Sequence, residues 1–189
     1  MTDEGLTTRY IAAYAAVFIA VVWVFNLLPS APVEALTAQT SAWALGAFGH
    51  AASCAQENGL TTLTLTGQLT VTVSIIRECT ALNVFGVAVG LLLPLKAGWL
   101  SKAKGITLSG LLLFTLNIPR IALTVYLTAY DTWPFTIIAD RTLETYHYPI
   151  SFTFGVLGVA ATILAVSRLT TPELEDTLTG AVDKLLGSK

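Results

Sequence analysis

The chain has 189 residues, 54% of them hydrophobic and 12% charged, with a net charge of −2 and a mean hydropathy of +0.70. Soluble domains carry about 25% charged residues, so this balance indicates an integral membrane protein. It argues against a basic nucleic-acid-binding face, and no nucleic-acid motif is present. Two cysteines, Cys54 and Cys79, are too few for a disulfide framework, although a single bridge between them remains open.

Residues 1–9 form a polar lead that ends at Arg9. The run from Tyr10 to Leu28 supplies about 19 residues, enough to cross ~30 Å of hydrocarbon. It is too long for a signal-peptide core and no small-x-small cleavage site follows, so a retained span is expected. Pro29 ends it. From Pro32 onward, Val33, Leu36, Ala44, Leu45 and Phe48 recur at helical spacings among Thr, Gln and Ser. This stretch, 33–52, is expected as an amphipathic helix lying on the membrane rather than a span.

Residues 60–76 change period. Leu63, Leu65, Leu69, Val71, Val73 and Ile75 occupy odd numbers, and Thr or Ser fills most even ones. Period two predicts a half-buried hairpin. A two-residue turn would put the apolar faces on opposite sides. A three-residue loop around Gly67 pairs Leu65 with Leu69 and Leu63 with Val71, and keeps one face apolar.

A second span is expected over 80–98, with Gly86-x-x-x-Gly90 allowing close helix packing. A break near Gly98, Trp99 and Gly105 is surrounded by Lys96, Lys102 and Lys104. A third span covers 106–130, carrying Pro119 and Arg120. A polar loop over 131–147 holds Asp131, Asp140, Arg141 and Glu144. The fourth span, 148–167, ends at Arg168. The predicted fold is thus an all-α membrane protein. About four transmembrane helices (10–28, 80–98, 106–130, 148–167) form a bundle, with an outer helix and small β-hairpin over 30–78. Together with an amphipathic cytoplasmic tail over 171–189, they make a single membrane domain.

Cytoplasmic loops carry the excess of Lys and Arg. Lys96, Lys102 and Lys104 in the shortest loop, with Arg9 and Arg168, therefore place both termini and the 99–105 loop inside a multi-pass cell-membrane protein. Segments 29–78 and 131–147 then lie outside. Cys79 and His147 each open a span at its outer end. Arg120 stands about 14 residues, or ~21 Å, above the inner start of its span. Three reactive side chains from three spans thus reach one depth near the outer face.

A cysteine at such a boundary is more often a small buried hydrophobe. A helix N-terminus nonetheless favours its thiolate, although neighbouring Glu78 opposes that. A charge within a span is a functional hypothesis by default; the structural alternative for Arg120 is a pair with Glu78, Asp131 or Asp140. A guanidinium cannot act as a base, so its role is electrostatic. Pro119 frees the carbonyl of Thr115, and Asn117 can satisfy such groups. His147 either belongs to an aromatic belt with Tyr146 and Tyr148 or serves as a base for a thiol. Two His and two Cys, widely separated, make a poor zinc set, and neither metal nor cofactor is expected.

Arg77-Glu78-Cys79-Thr80 opening a span after an alternating segment, Asn117-Ile118-Pro119-Arg120-Ile121 in the next span, and His147 opening the last resemble the exosortase/archaeosortase family of intramembrane cysteine transpeptidases. The resemblance extends over about residues 30–167, and the small four-span core is most similar to the archaeal branch. The chain has Ala81 where the family pattern has Gly after the Cys-Ser/Thr pair. The resemblance implies Cys79 as nucleophile, Arg120 as transition-state stabiliser and His147 as acid and base. Asn117 and Thr80 are supporting residues, and Arg141 is a reserve for the third position. The implied partners are secreted proteins with a C-terminal motif, apolar helix and basic end. A membrane lipid is the implied acceptor, with another nucleophile or water as the alternatives. The hairpin edge is a candidate dock for the extended motif. The competing readings are a non-enzymatic membrane subunit or small transporter with a structural Arg120, and a Cys54–Cys79 disulfide.

Overall fold

The structure, a computed structural model, describes residues 8–57, 59–130, 132 and 142–186. Its elements run α1 (Thr8–Leu27), α2 (Ala31–Ala47), β1 (Ala51–Glu57), β2 (Leu60–Thr66), β3 (Thr70–Ile75), a 3-10 turn (Arg77–Cys79), α3 (Leu82–Leu92), α4 (Trp99–Ala129), α5 (Leu143–Leu169) and α6 (Glu173–Leu186). The class is the expected one, an all-α membrane protein with a small sheet. Among the described residues, three helices are long and apolar enough to cross a membrane: Arg9–Leu27, Trp99–Ala129 and Leu143–Leu169. Within the expected 80–98 span only Leu82–Leu92 is helical. Pro94 explains the stop, because it disfavours helical backbone at Leu93. At ~1.5 Å per residue this helix rises only ~16 Å. The expected break moves with it, to 93–98, and α4 begins at Trp99 rather than 106. Lys102 Nζ donates to the Leu93 carbonyl at 2.8 Å.

The chain divides into two compact units. The first comprises Met1–Leu28, Asn83–Leu112 and Ala160–Lys189. Its core is Leu92, Leu95, Val166 and Leu174, with Tyr14, Ile163 and Leu178 packed around it. Gly86 and Gly90 work as the spacing predicts. A Cβ on Gly86 would lie 2.7 Å from Phe25, and one on Gly90 would lie 2.9 Å from Phe18, so α3 meets α1 at close range. Lys96 sits 4.6 Å over the Tyr10 ring, while Tyr10 and Tyr14 donate to the carbonyls of Pro94 and Leu91. The tail helix α6 packs Leu174 and Leu178 into this core.

The second unit comprises Pro29–Leu82 and Leu113–Val159. The alternating segment forms β2 and β3, and an outer strand joins them in the order β1-β2-β3. That third strand was not visible in the sequence. Ala-Ala-Ser-Cys-Ala-Gln-Glu has no alternation, and its extended form rests on pairing with β2, from Ala51↔Thr66 to Glu57↔Leu60. The hairpin loop has three residues, as expected, but is centred on Gln68 rather than Gly67. Leu65 pairs with Val71 and Leu63 with Val73. The shift of two residues preserves the apolar face.

That face, Leu63, Leu65, Val73 and Ile75, packs with Ala38 and Leu45 of α2 and with Ile121, Val125 and Ala129 of α4. The α4 positions are four residues apart and form one stripe. The helix expected over 33–52 forms as α2 over Ala31–Ala47, and β1 takes the chain from Ala51. The buried residues of α2 are Thr37, Ala38, Ser41 and Leu45, whereas Leu36, Trp43 and Phe48 are exposed. Thr37 and Ser41 are thus buried beside Ala38 and Leu45, while the bulkier Leu36, Trp43 and Phe48 point away.

Gly67 and the end of α4 seat the hairpin tip. Leu69 N–H donates to the Ala129 carbonyl at 3.0 Å, and Tyr130 Oη donates to Thr66 O at 3.3 Å. The Tyr130 ring lies under Gly67, where a Cβ would come within 2.7 Å of it. The ring cannot easily yield, since it stacks on Tyr126 at 4.9 Å. Gly67→Ala is therefore expected to cost about 1–3 kcal/mol through overpacking. In a Tyr130→Ala background the same substitution should cost markedly less. Thermal unfolding of the four proteins in detergent checks this coupling.

Candidate active site

Cys79 closes the 3-10 turn that follows β3. Thr80 joins this turn to α3: its Oγ1 donates to the Arg77 carbonyl at 2.7 Å and accepts from Leu82 N–H at 3.2 Å. This is a hydroxyl-mediated turn, so Thr80 fixes the backbone beside the thiol. Two side chains from α4 converge on the same point. Asn117 Nδ2 donates to the Cys79 carbonyl at 2.9 Å, and Arg120 Nη2 donates to it at 3.0 Å. Asn117, expected to satisfy groups freed by Pro119, instead reaches out of its own helix to hold the cysteine backbone. Arg120 forms no ion pair with Glu78 or with any other described acid. Asp131, Asp140 and the reserve Arg141 lie outside the described residues.

The Cys79 thiol is half-buried, and its Sγ lies 3.9 Å from the Ser74 carbonyl oxygen. Cys54 is exposed on β1, and both cysteines are free thiols. The Cys54–Cys79 bridge is therefore not formed.

α5 begins five residues before the expected fourth span. Thr142 accounts for this, since its Oγ1 accepts from Thr145 N–H at 3.3 Å and bonds Thr145 Oγ1 at 2.8 Å, a cap of the Thr-x-x-Thr kind. The signal was present in the sequence but lay within the presumed loop. His147 therefore sits in the second turn of α5 rather than ahead of a helix, with its ring edge-on to Tyr148 at 5.6 Å.

Cys79, Arg120 and His147 line one cavity of about 150 Å³. Among the described residues no hydrogen bond links His147 to Cys79 or Arg120. The same walls carry groups not foreseen from sequence. They are Ser74 at the end of β3, Thr124 one turn beyond Arg120, and Glu144 one turn before His147. Thr124 Oγ1 donates to the Arg120 carbonyl at 2.8 Å. Val73, Ile75, Ile121 and Val125 make the remaining wall largely apolar. His50 lies elsewhere in this unit. Its Nδ1 is 3.3 Å from Tyr130 Oη, and it borders a separate cleft of about 490 Å³ with Phe48, Pro119 and Tyr126.

A membrane-embedded chain that gathers a thiol, a guanidinium and an imidazole on one small cavity has the groups of a thiol acyl-transfer centre. The sequence matches the family described as transmembrane exosortase over residues 4–139, and the chain belongs to the transmembrane exosortase family. This is a family of cysteine transpeptidases, which gives the chain a membrane transpeptidase-type role in general terms. The match includes Cys79, Asn117 and Arg120 and ends before His147. No curated protein and no solved structure matches the chain.

Asn117→Ala and Arg120→Ala each leave the part-buried Cys79 carbonyl with one donor instead of two, and each is expected to cost about 1 kcal/mol. Because the two share an acceptor, their effects should not add in the double variant. Chemical unfolding of the two single variants and the double variant measures this.

Proposed function

We propose that the chain is a membrane cysteine transpeptidase that cleaves C-terminal sorting signals of secreted proteins at the outer face and passes the acyl group to a lipid-linked acceptor. The observation that carries this reading is the shared cavity of Cys79, Arg120 and His147, within a chain of the transmembrane exosortase family.

In the first half-reaction the His147 imidazole takes the Sγ proton, and the thiolate attacks the carbonyl carbon of the scissile peptide. Arg120 offers its guanidinium to the resulting oxyanion while one of its nitrogens stays on the Cys79 carbonyl. The C–N bond breaks, the leaving amine takes the proton from His147, and the acyl group remains on Cys79 as a thioester. In the second, a hydroxyl or amine of the acceptor gives its proton to His147 and attacks the thioester. The C–S bond then breaks and Cys79 is reprotonated. Water in place of the acceptor would give hydrolysis.

The expected outer-face placement draws support from the length of α4. With α4 starting at Trp99, Arg120 stands 21 residues along it, a rise of ~32 Å. That is about the thickness of the hydrocarbon core, as an outer-face site requires.

Cys79→Ala is expected to abolish processing of a co-expressed substrate bearing the motif, apolar helix and basic end, with the protein still in the membrane fraction. His147→Gln should lower the rate by 10²–10⁴, the usual worth of a general acid–base group, to about that order. In the wild type, hydroxylamine should release an acyl group from Cys79. Normal processing by Cys79→Ala, read by immunoblot of the substrate, would remove this reading.

A further inference from the structure

We propose that the free edge of β3, at Thr72 and Ser74, is the docking strand for the acyl-side segment of the substrate, which pairs with it in parallel and so delivers its scissile carbonyl to Cys79. This rests on the reading of Cys79 as the acylated thiol and adds where and how the peptide is held.

The edge follows from the ladder. The sheet order β1-β2-β3 leaves one side of β3 without a strand partner. In an antiparallel pair, successive residues alternate between bonding the partner and pointing their N–H and C=O away from it. Two contacts fix the phase. The Ser74 carbonyl, opposite Thr62, is the one that faces the Cys79 thiol at 3.9 Å, so it points away from β2. Thr64 and Thr72 are an opposed pair whose hydroxyls meet at 3.0 Å, the closer side-chain approach of a non-bonded pair. Thr72 and Ser74 thus present their N–H and C=O outward, while Val71, Val73 and Ile75 bond β2.

The edge borders the cavity. Thr70, Thr72 and Ser74 are exposed, and Val73, Ser74 and Ile75 line the same cavity as Cys79, Arg120 and His147. The other edge, β1, lies two strands away and carries none of these residues. An unpaired edge is normally blunted by charge, proline or a bulge. Thr70–Ile75 reads Thr-Val-Thr-Val-Ser-Ile, with no charge and no proline, which suits a strand kept for pairing.

Direction follows from the position of the thiol. β3 runs from Thr70 toward Ser74, and the thiol is at the Ser74 end. The acyl-side peptide must end, at its carbonyl, on that thiol. It therefore runs the same way as β3. Main-chain pairing of this kind tolerates many side chains on the substrate, and the small cavity beside Ser74 is left to select the residue at the cleavage point.

The test uses the full chain in detergent with Cys54→Ala, so that Cys79 is the one thiol. The probe is N-acetyl-tetraalanyl chloromethyl ketone, whose methylene carbon is attacked by the thiolate with loss of chloride to give a thioether. Its residues are N-methylated one at a time. Pairing predicts alternation: methyl groups at every second position slow labelling on the order of tenfold each, and those between have little effect. Thr72→Pro deletes an outward N–H that the ladder does not use. It should slow the peptidyl probe by a similar factor and leave alkylation by iodoacetamide unchanged. Cys79 labelling at equal rates across the methylated series overturns the docking strand and leaves the thiol reading standing. Failure of both reagents to label Cys79 overturns the thiol reading itself, and the docking strand with it.

Discussion

The carbonyl of Cys79 is the point on which the second unit depends. Asn117 and Arg120 both donate to it, and the two are three residues apart, hence on one face of α4. A carbonyl away from water needs a donor. Here it receives donors from a helix far away in sequence, so the turn bearing the thiol cannot shift without losing both. At the other end of the hairpin, Leu69 N–H bonds the Ala129 carbonyl. The strand and turn from 69 to 79 are thus tied to α4 at both ends and run antiparallel to it. Between the ties, Ile121, Val125 and Ala129 pack against Val73 and Ile75.

Under the proposed mechanism Arg120 has two tasks that geometry makes compatible. A guanidinium carries five N–H donors in a rigid plane. One is used on the Cys79 carbonyl, and the side chain still lines the cavity. The cation is then fixed by the backbone of Cys79, and on the proposed reading its place beside the reacting carbon is set before substrate arrives. Such preorganisation is the main source of electrostatic catalysis. A lysine could not do both, since its ammonium is a single point on a flexible stem.

The sequence made some of this legible and hid the rest for physical reasons. Period two over 60–76 revealed the hairpin, because one face is packed and the other is not. It gave the loop length and misplaced its centre, since two registers two residues apart bury the same face; Tyr130 beneath Gly67 makes the choice, and that contact is 63 positions long-range in the chain. β1 was invisible because its extension comes from pairing, not from its own pattern. Cys79, Arg120 and His147 stood out as reactive residues in apolar runs. Asn117 was noticed for the wrong reason, since a sequence shows its nearest turn and not the strand across from it. Glu144 and Ser74 were missed because a helix start and a strand end carry little signal of what they face.

The inverted character of α2 bears on where strand pairing can occur. Thr37 and Ser41 are buried while Trp43 and Phe48 are largely exposed, so α2 turns its largest apolar side chains outward. Such a surface suits apolar surroundings, in which a free strand edge is costly because its N–H and C=O groups find no water. On the proposed docking, the Thr72 and Ser74 edge escapes that cost by opening onto the cavity that Cys79 lines, or by pairing with a peptide. An edge satisfied by water alone would exchange water for substrate with little net gain. An edge only partly hydrated gains more from pairing, and the gain is largest at Ser74, where the carbonyl already leans on a weak thiol donor. Acylation removes that donor when the S–H proton leaves. On the proposed docking, substrate main-chain N–H groups are the replacement, which would tie retention of the acyl segment to the state of the thiol it is bonded to.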